Sequence, residues 1–101
     1  MNNDQPILTI SIAAKLLELH IRTIMAYEKA GLLTPHRTKT KRRMFSVADL
    51  NDLQFLKYLS FERKLNIAGI KTILEAIRVA KGHDLNLQKT LFPDFRLRSL
   101  L

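Results

Sequence analysis

Two short helical patterns follow one another within residues 10–31, separated by a corner of only three or four residues. The first pattern has apolar side chains three and four residues apart, at Ile12, Ala13, Leu16 and Leu17. The second pattern begins after His20, presents Ile24 and Tyr27 on one face, and ends at Gly31. Two helices joined so closely predict a helix-turn-helix unit, whose second helix can enter a major groove.

The segment that follows this unit is strongly basic. The chain has a net charge of +8, and no acidic residue lies between Glu28 and Asp49. The basic residues of the segment are Lys29, Arg37, Lys39, Lys41, Arg42 and Arg43. Because Thr38 and Thr40 suit extended backbone, residues 33–45 predict two short strands joined by a basic turn, which together make a wing. A basic segment of this kind is either a solvated loop or a surface that binds a phosphate backbone. Its position directly after the helix-turn-helix unit favours the phosphate-binding surface.

Two longer helices are predicted after the wing. Ser46 and Asp49 form a capping box at the start of the third helix, which we expect to continue to about residue 63. Its apolar surface is expected to contain Leu50, Leu53, Phe55, Leu56, Tyr58, Leu59 and Phe61. Asn66 is suited to cap a fourth helix over residues 67–80. The buried stripe of that helix is expected to be Ile70, Ile73, Leu74 and Ile77.

With 101 residues the chain is long enough for one domain. We expect a flexible tail at residues 1–6, a winged helix domain at residues 7–80 and a short tail at residues 81–101. In this last part Asp84 is suited to cap a short helix that ends before Pro93. Its apolar residues should pack either on the core of the same chain or on another chain. We favour a second protomer or another protein, which is expected to cover chiefly Leu91, Phe92, Phe95 and Leu97. The predicted fold is mainly α, a winged helix-turn-helix with a two-stranded wing and two further helices.

The composition argues against several other functions. The sequence has no cysteine and three dispersed histidines, so neither a disulfide nor a metal site is expected. No carboxylate pair, or histidine with a spaced acid, forms a plausible acid–base site, and we expect neither an enzyme nor a cofactor. No apolar run is long enough to span a bilayer, and neither a signal-peptide pattern nor a basic amphipathic stretch is present. We expect a cytoplasmic protein without a membrane partner.

Four stretches resemble one known family, in the same order along the chain. They are ISIAAKLL at residues 10–17, HIRTIMAYEKAGL at residues 20–32, RRMFSVADL at residues 42–50 and LNIAGIK at residues 65–71. The first three resemble the helix-turn-helix, wing exit and third-helix start of MerR-family winged-helix regulators. The fourth is similar to the fourth-helix entry in the heat-shock repressor branch of that family, the HspR type. The resemblance covers about residues 8–77.

The resemblance implies a DNA-binding transcription regulator, expected to be a repressor, that binds a two-fold operator in double-stranded DNA as a homodimer. Arg22 and Thr23 match the start of the recognition helix, and Tyr27 matches a tyrosine that touches phosphate while closing the core. The expected DNA-binding residues are Arg22, Thr23, Tyr27, Arg37, Lys39, Lys41, Arg42 and Arg43. The heat-shock branch further implies a chaperone as a protein co-regulator.

Some positions depart from the family pattern. Met25 stands where the recognition helix usually has arginine, and Ala26 stands where it has tyrosine. Phe45 replaces the usual tyrosine at the wing exit, and the wing turn lacks the usual glycine. Glu18 occupies the position of a glycine in the corner between the first two helices. Because Met25 has no hydrogen-bond donor, base reading by this helix is expected to be weaker or altered.

Two other functions stay open at this point. The first is a DNA architectural factor, similar to the small winged-helix excisionases of mobile elements, which the short chain and the wing-heavy charge would fit. The second is a protein-binding module on the same scaffold that docks onto a co-chaperone. The retained wing charge argues against this second alternative.

Overall fold

The computed structural model describes residues 3–101, so the first two residues of the predicted N-terminal tail lie outside the described residues. Its elements are β1 (Leu8–Thr9), α1 (Ile10–Leu17), α2 (Ile21–Lys29), β2 (His36–Arg37), β3 (Arg43–Phe45), α3 (Val47–Lys57), a π-helical segment (Tyr58–Glu62), α4 (Ile67–Lys81) and α5 (Leu87–Leu91). The predicted fold class is confirmed, since these helices accompany one small sheet. The chain forms two compact units, one with the described residues up to Gln54 plus Arg98–Leu101 and the other with Phe55–Leu97.

Helices α1 and α2 form the helix-turn-helix. Thr9 caps α1, because its hydroxyl accepts a hydrogen bond from the amide of Ile12 at 3.3 Å. The helix ends at Glu18, whose backbone is left-handed with a φ of 55°. The buried residues of α1 are Ala13, Ala14 and Leu17. The predicted burial of Ile12 is wrong: it lies on the side of the helix away from this stripe and is 48% exposed.

The three strands form one antiparallel sheet in the order β1-β3-β2. The residues that face one another are Leu8 and Phe45, Thr9 and Met44, His36 and Met44, and Arg37 and Arg43. Strands β2 and β3 are the predicted wing, whereas β1 was not predicted, because two residues are too few to show an alternating pattern. Phe45 is fully buried. Thr40 lies in the turn, so the prediction that it is extended is wrong.

The start of α3 is fixed by the predicted capping box. The amide of Ser46 donates to the carboxylate of Asp49 at 2.9 Å, and the amide of Asp49 donates to the hydroxyl of Ser46 at 3.0 Å. The core of the first unit contains Leu8, Ala13, Ala14, Leu17, Ile24, Tyr27, Phe45, Leu50 and Leu53. The side chain of Gln54 bonds to the backbone of Arg98 at 2.9 and 3.0 Å, which ties the last residues of the chain to this unit.

The second unit begins with a change of helix type. The α-helix stops at Lys57, and a π-helical segment continues to Glu62, where the predicted helix was regular to about residue 63. The amide of Arg63 accordingly donates to the carbonyl of Tyr58, five residues earlier, at 3.1 Å. Because a π-helical turn contains more residues than an α-helical turn, it rotates the side chains that follow around the helix axis. Phe61 is therefore 52% exposed, and its predicted place in the core is wrong.

Helix α4 starts where the sequence predicts. The side chain of Asn66 accepts a hydrogen bond from the amide of Gly69 at 2.8 Å. Within the predicted stripe only Ile70 is fully buried, and the half-buried members are Ile73, Leu74 and Ile77. Helix α5 is capped by Asn86, which accepts from the amide of Lys89 at 3.0 Å. The predicted cap at Asp84 is wrong, because that residue turns the chain with a φ of 59°.

An aromatic cluster closes the second unit. The ring of Phe92 meets those of Phe55 and Tyr58 edge-on, with centroids 5.7 and 5.8 Å apart. Phe95 lies 5.1 Å from both of the same two rings, and the hydroxyl of Tyr58 donates to Asp94 at 2.7 Å. Phe92 is only 6% exposed. This corrects the expectation that a partner covers Phe92, because the ring packs on its own chain.

Candidate nucleic-acid interface

Helix α2 separates cleanly into a buried and an exposed face. Ile24 and Tyr27 are 1% and 2% exposed, and they anchor the helix in the core of its unit. The exposed residues of α2 are Ile21, Arg22, Met25, Ala26 and Lys29. At 3.6 residues per turn, these five positions cover one side of the helix. Of the predicted contact residues on α2, Arg22 lies on this side, Thr23 is half-buried at its edge, and Tyr27 belongs to the core.

The wing turn presents three exposed basic side chains, those of Lys39, Lys41 and Arg42. The turn is a three-residue hairpin loop, in which the amide of Lys41 donates to the carbonyl of Thr38 at 2.9 Å and the amide of Thr38 to the carbonyl of Arg42 at 2.9 Å. Lys41 takes the left-handed position of this loop, with a φ of 69°. The structure thus accommodates the missing glycine by placing Lys41 in a conformation that costs about 1 kcal/mol.

Glu28 joins the wing to α2. Its carboxylate accepts a hydrogen bond from the Nε of Arg43 at 2.5 Å and another from the Nη2 of Arg37 at 2.9 Å. Arg37 also donates through Nη1 to the carbonyl of Lys41 at 2.9 Å. We call Glu28, Arg37 and Arg43 the Glu28 cluster. It fixes both wing strands to the last turn of α2, so the basic turn and the exposed face of α2 form a single surface.

The electrostatics of the Glu28 cluster favour the charged carboxylate. Burial on its own raises the pKa of Glu28, but the hydrogen bonds and charges of Arg43 and Arg37 together outweigh it. The pKa therefore lies below its ordinary value of 4.5. The two arginines and one carboxylate carry a net charge of +1, so part of the predicted wing charge is neutralised within the chain.

A shallow depression of about 550 Å³ runs between α2 and the base of the wing. Its lining residues are Arg22, Met25, Ala26, Glu28, Lys29, Arg37 and Arg43. The structure thereby brings one of the predicted helix residues together with two of the predicted wing residues. Glu28 was not predicted as a member of the site, although it is the last carboxylate before the basic segment.

Two further properties of the described residues concern metal ions and membranes. No group of three or more histidine, aspartate and glutamate side chains within residues 3–101 is placed to hold a metal ion. Over the same residues, every helix is too short or too polar to cross a membrane.

A helix-turn-helix whose second helix is exposed beside a basic two-stranded wing defines a winged helix-turn-helix domain. Residues 8–77 match the description MerR HTH family regulatory protein, and the chain belongs to that family. The resemblance seen in the four sequence stretches is therefore confirmed. The family is one of regulators, which also confirms that the chain is not an enzyme.

Two kinds of curated relative are similar to this chain. A Streptomyces coelicolor protein described as heat shock protein HspR is 39% identical over 75 residues, which is 74% of this chain and 50% of the relative. The HTH-type transcriptional regulator GlnR of Bacillus anthracis is 42% identical over 69 residues, which is 68% of this chain and 53% of the relative. The GlnR of Bacillus cereus matches this chain with the same identity and over the same number of residues. The chain thus spans about half the length of the relatives that it matches.

Proposed function

We propose that this protein is a DNA-binding transcription regulator that places α2 in a major groove and lays the wing along the flanking phosphates. The observation that carries the proposal is the Glu28 cluster, which holds the basic wing and the exposed face of α2 as one surface. A groove-reading element needs neighbouring phosphate contacts to fix its register on the duplex. The coupled helix and wing supply both kinds of contact.

The wing carries the sequence-independent part of this binding. Lys39, Lys41 and Arg42 are exposed at its turn and are proposed to neutralise phosphates directly. Arg37 and Arg43 are proposed as partial contributors, because both also bond to Glu28. Lys39, Lys41 and Arg42 contribute one positive charge each, and the Glu28 cluster contributes a net charge of +1. Each protomer thus has four positive charges to neutralise phosphates. The slope of log K against log salt is then about −3.6 per protomer, where five independent charges give about −4.5.

The exposed face of α2 carries the base-reading part. Arg22 is proposed to contact a base edge, since an exposed arginine at the start of a groove helix is suited to the O6 and N7 atoms of guanine. Thr23 is proposed to contact base or backbone from the edge of this face. Tyr27 is proposed at most for a marginal phosphate contact, because the residue is only 2% exposed.

For the assembly, we propose a homodimer that represses transcription from a two-fold operator in the cytoplasm. The heat-shock branch to which residues 65–71 are similar supports repression and a chaperone co-regulator. Leu91 and Leu97, which are 42% and 54% exposed, are the residues proposed for the dimer or partner contact. The half-buried Phe95 is proposed to contribute its outer edge.

Selection of bound duplexes from a random DNA library at moderate salt tests the proposed function. Enrichment of an inverted repeat is the expected result, and its half-site spacing gives the geometry of the dimer. Enrichment of direct repeats that are bent on binding would instead favour the architectural factor. An absence of binding at low salt would contradict the proposal and favour the protein-binding module.

A further inference from the structure

The exposed face of α2 carries two large apolar side chains. Ile21 and Met25 lie one helical turn apart, and each is 40% exposed. A second shallow depression, also of about 550 Å³, lies at the start of α2 and is lined by Leu19, His20, Ile21, Arg22 and Met25. Arg22 and Met25 are therefore shared by the two depressions on either side of them. Met25 thus stands at the middle of the surface formed by α2 and the wing.

The charges around these apolar groups define what can cover them. Arg22 and Lys29 lie on the same face of α2, and the Glu28 cluster adds a net positive charge beside it. A ligand that covers the exposed face of α2 must therefore be anionic at its edges and apolar where it contacts Met25 and Ile21. A DNA major groove has this combination, because its phosphate rims are negative and each thymine presents a C5 methyl group on its floor.

We propose, resting on the function proposed above, that Met25 selects thymine by packing on its C5 methyl group, with Ile21 beside it. Side chains three residues apart on a helix are about 5–6 Å apart, and successive base pairs are about 3.4 Å apart. A thymine read by Met25 therefore lies one or two base pairs from the base contacted by Arg22. The helix then reads its site by one polar and one apolar contact.

Met25 thus contributes to base recognition through its apolar side chain. A methionine cannot donate a hydrogen bond to guanine, but it is apolar and flexible enough to fit closely around a methyl group. The expected DNA half-site combines a guanine with one or two thymines at a fixed distance. Burying one methyl group contributes about fourfold to affinity at the usual energy per buried carbon.

Replacement of thymidine by deoxyuridine in the selected duplex tests the inference, because it removes the methyl group and keeps the base pair. Fluorescence anisotropy measures the dissociation constant for each duplex with one thymidine replaced. The wild-type protein is expected to bind one deoxyuridine duplex about fourfold more weakly than its thymidine parent. The Met25→Ala and Met25→Gln variants are expected to bind both duplexes within twofold of each other.

Val79→Ala is the matched control, because Val79 is an apolar residue of α4 with 48% exposure. This variant is expected to keep the fourfold preference. Since Met25 is exposed, its variants should fold, and near-identical circular dichroism spectra verify that they do. Tight binding by the wild type with equal affinity for thymidine and deoxyuridine duplexes would overturn the inference and leave the proposed function standing. A thymidine preference that survives in both Met25 variants would overturn it as well, and an absence of DNA binding would overturn both.

Discussion

The carboxylate of Glu28 accepts a hydrogen bond from the Nε of Arg43 at 2.5 Å, between residues 15 positions apart. Glu28 belongs to the last turn of α2, and Arg43 begins β3. The contact is partly buried, with side-chain exposures of 20% and 25%, so solvent screens it less than it would an ion pair at the surface. The Glu28 carboxylate therefore adds a direct link between α2 and the wing to the strand pairing and the buried Phe45 that also hold β3.

Glu28→Gln should steepen the salt dependence of DNA binding. The substitution removes one negative charge from the Glu28 cluster and leaves an amide oxygen that can still accept from Arg43. We expect the slope of log K against log salt to change from about −3.6 to about −4.5 per protomer. Titration of one duplex at several salt concentrations measures this change.

Glu75→Gln is the matched control for this prediction. Glu75 pairs with Arg78 on α4, so the variant has the same change in net charge at a residue that is not part of the Glu28 cluster. Its slope should stay at the wild-type value. Equal steepening in the two variants would mean that overall net charge, and not the Glu28 cluster, sets the salt dependence.

The carboxyl group of Glu28 should titrate below pH 4.5. Its pKa is lowered in the folded protein, so the cluster contributes stability that is fully present above the unfolded value of 4.5. This contribution is lost as the pH falls through the folded pKa. Carbon-13 NMR of the Glu28 carboxyl measures the pKa, and Arg43→Gln should move it upward. A wild-type midpoint at or above 4.5 would contradict the arrangement of the cluster.

Glu18→Gly should stabilise the protein by about 0.5–1 kcal/mol. Glu18 has a φ of 55° and a ψ of 45°, a left-handed conformation that strains a residue with a Cβ atom. Glycine relieves this strain, although part of the gain is offset by the greater freedom of the unfolded chain. Urea unfolding measures the difference. Glu18→Ala removes the same charge and keeps the strain, so an equal gain in both variants would show that charge is the cause.

Phe92→Ala should destabilise the protein by about 3 kcal/mol. The ring is 6% exposed and contacts the rings of Phe55 and Tyr58, so its removal leaves a cavity in the second unit. Phe61→Ala is the control, because Phe61 is 52% exposed and its loss should cost less than about 0.5 kcal/mol. Urea unfolding compares the two variants. A similar small cost for both would mean that Phe92 is available to a partner, as the sequence predicted.

The features that the sequence predicted well depend on neighbouring residues. The capping box of Ser46 and Asp49 and the Asn66 cap each join groups three residues apart, so their chemistry is visible in the sequence. The wing strands were predicted from Thr38 and Thr40, although the two strands lie on either side of these residues. The family resemblance then added the DNA-binding roles of α2 and the wing, which stay predictions.

The features that the sequence missed depend on distant residues. Strand β1 exists because Leu8 pairs with Phe45, and two residues carry no periodic signal. The Glu28 cluster joins positions 9 and 15 residues apart, and charge counting treats its arginines as independent. The π-helical segment changed the phase after Tyr58, so that Phe61 became exposed. The tail residue Phe92 had no local sign that its partners were Phe55 and Tyr58.

The affinity of Arg22→Ala for a selected duplex and its single-base variants tests the central claim most directly, with Lys39→Ala measured beside it. We expect Arg22→Ala to lose about 1–3 kcal/mol and its preference at one base pair. Lys39→Ala should weaken all duplexes alike and reduce the salt slope by about 1. If Arg22→Ala changes neither affinity nor preference, α2 does not read the DNA, and the proposed interface is wrong.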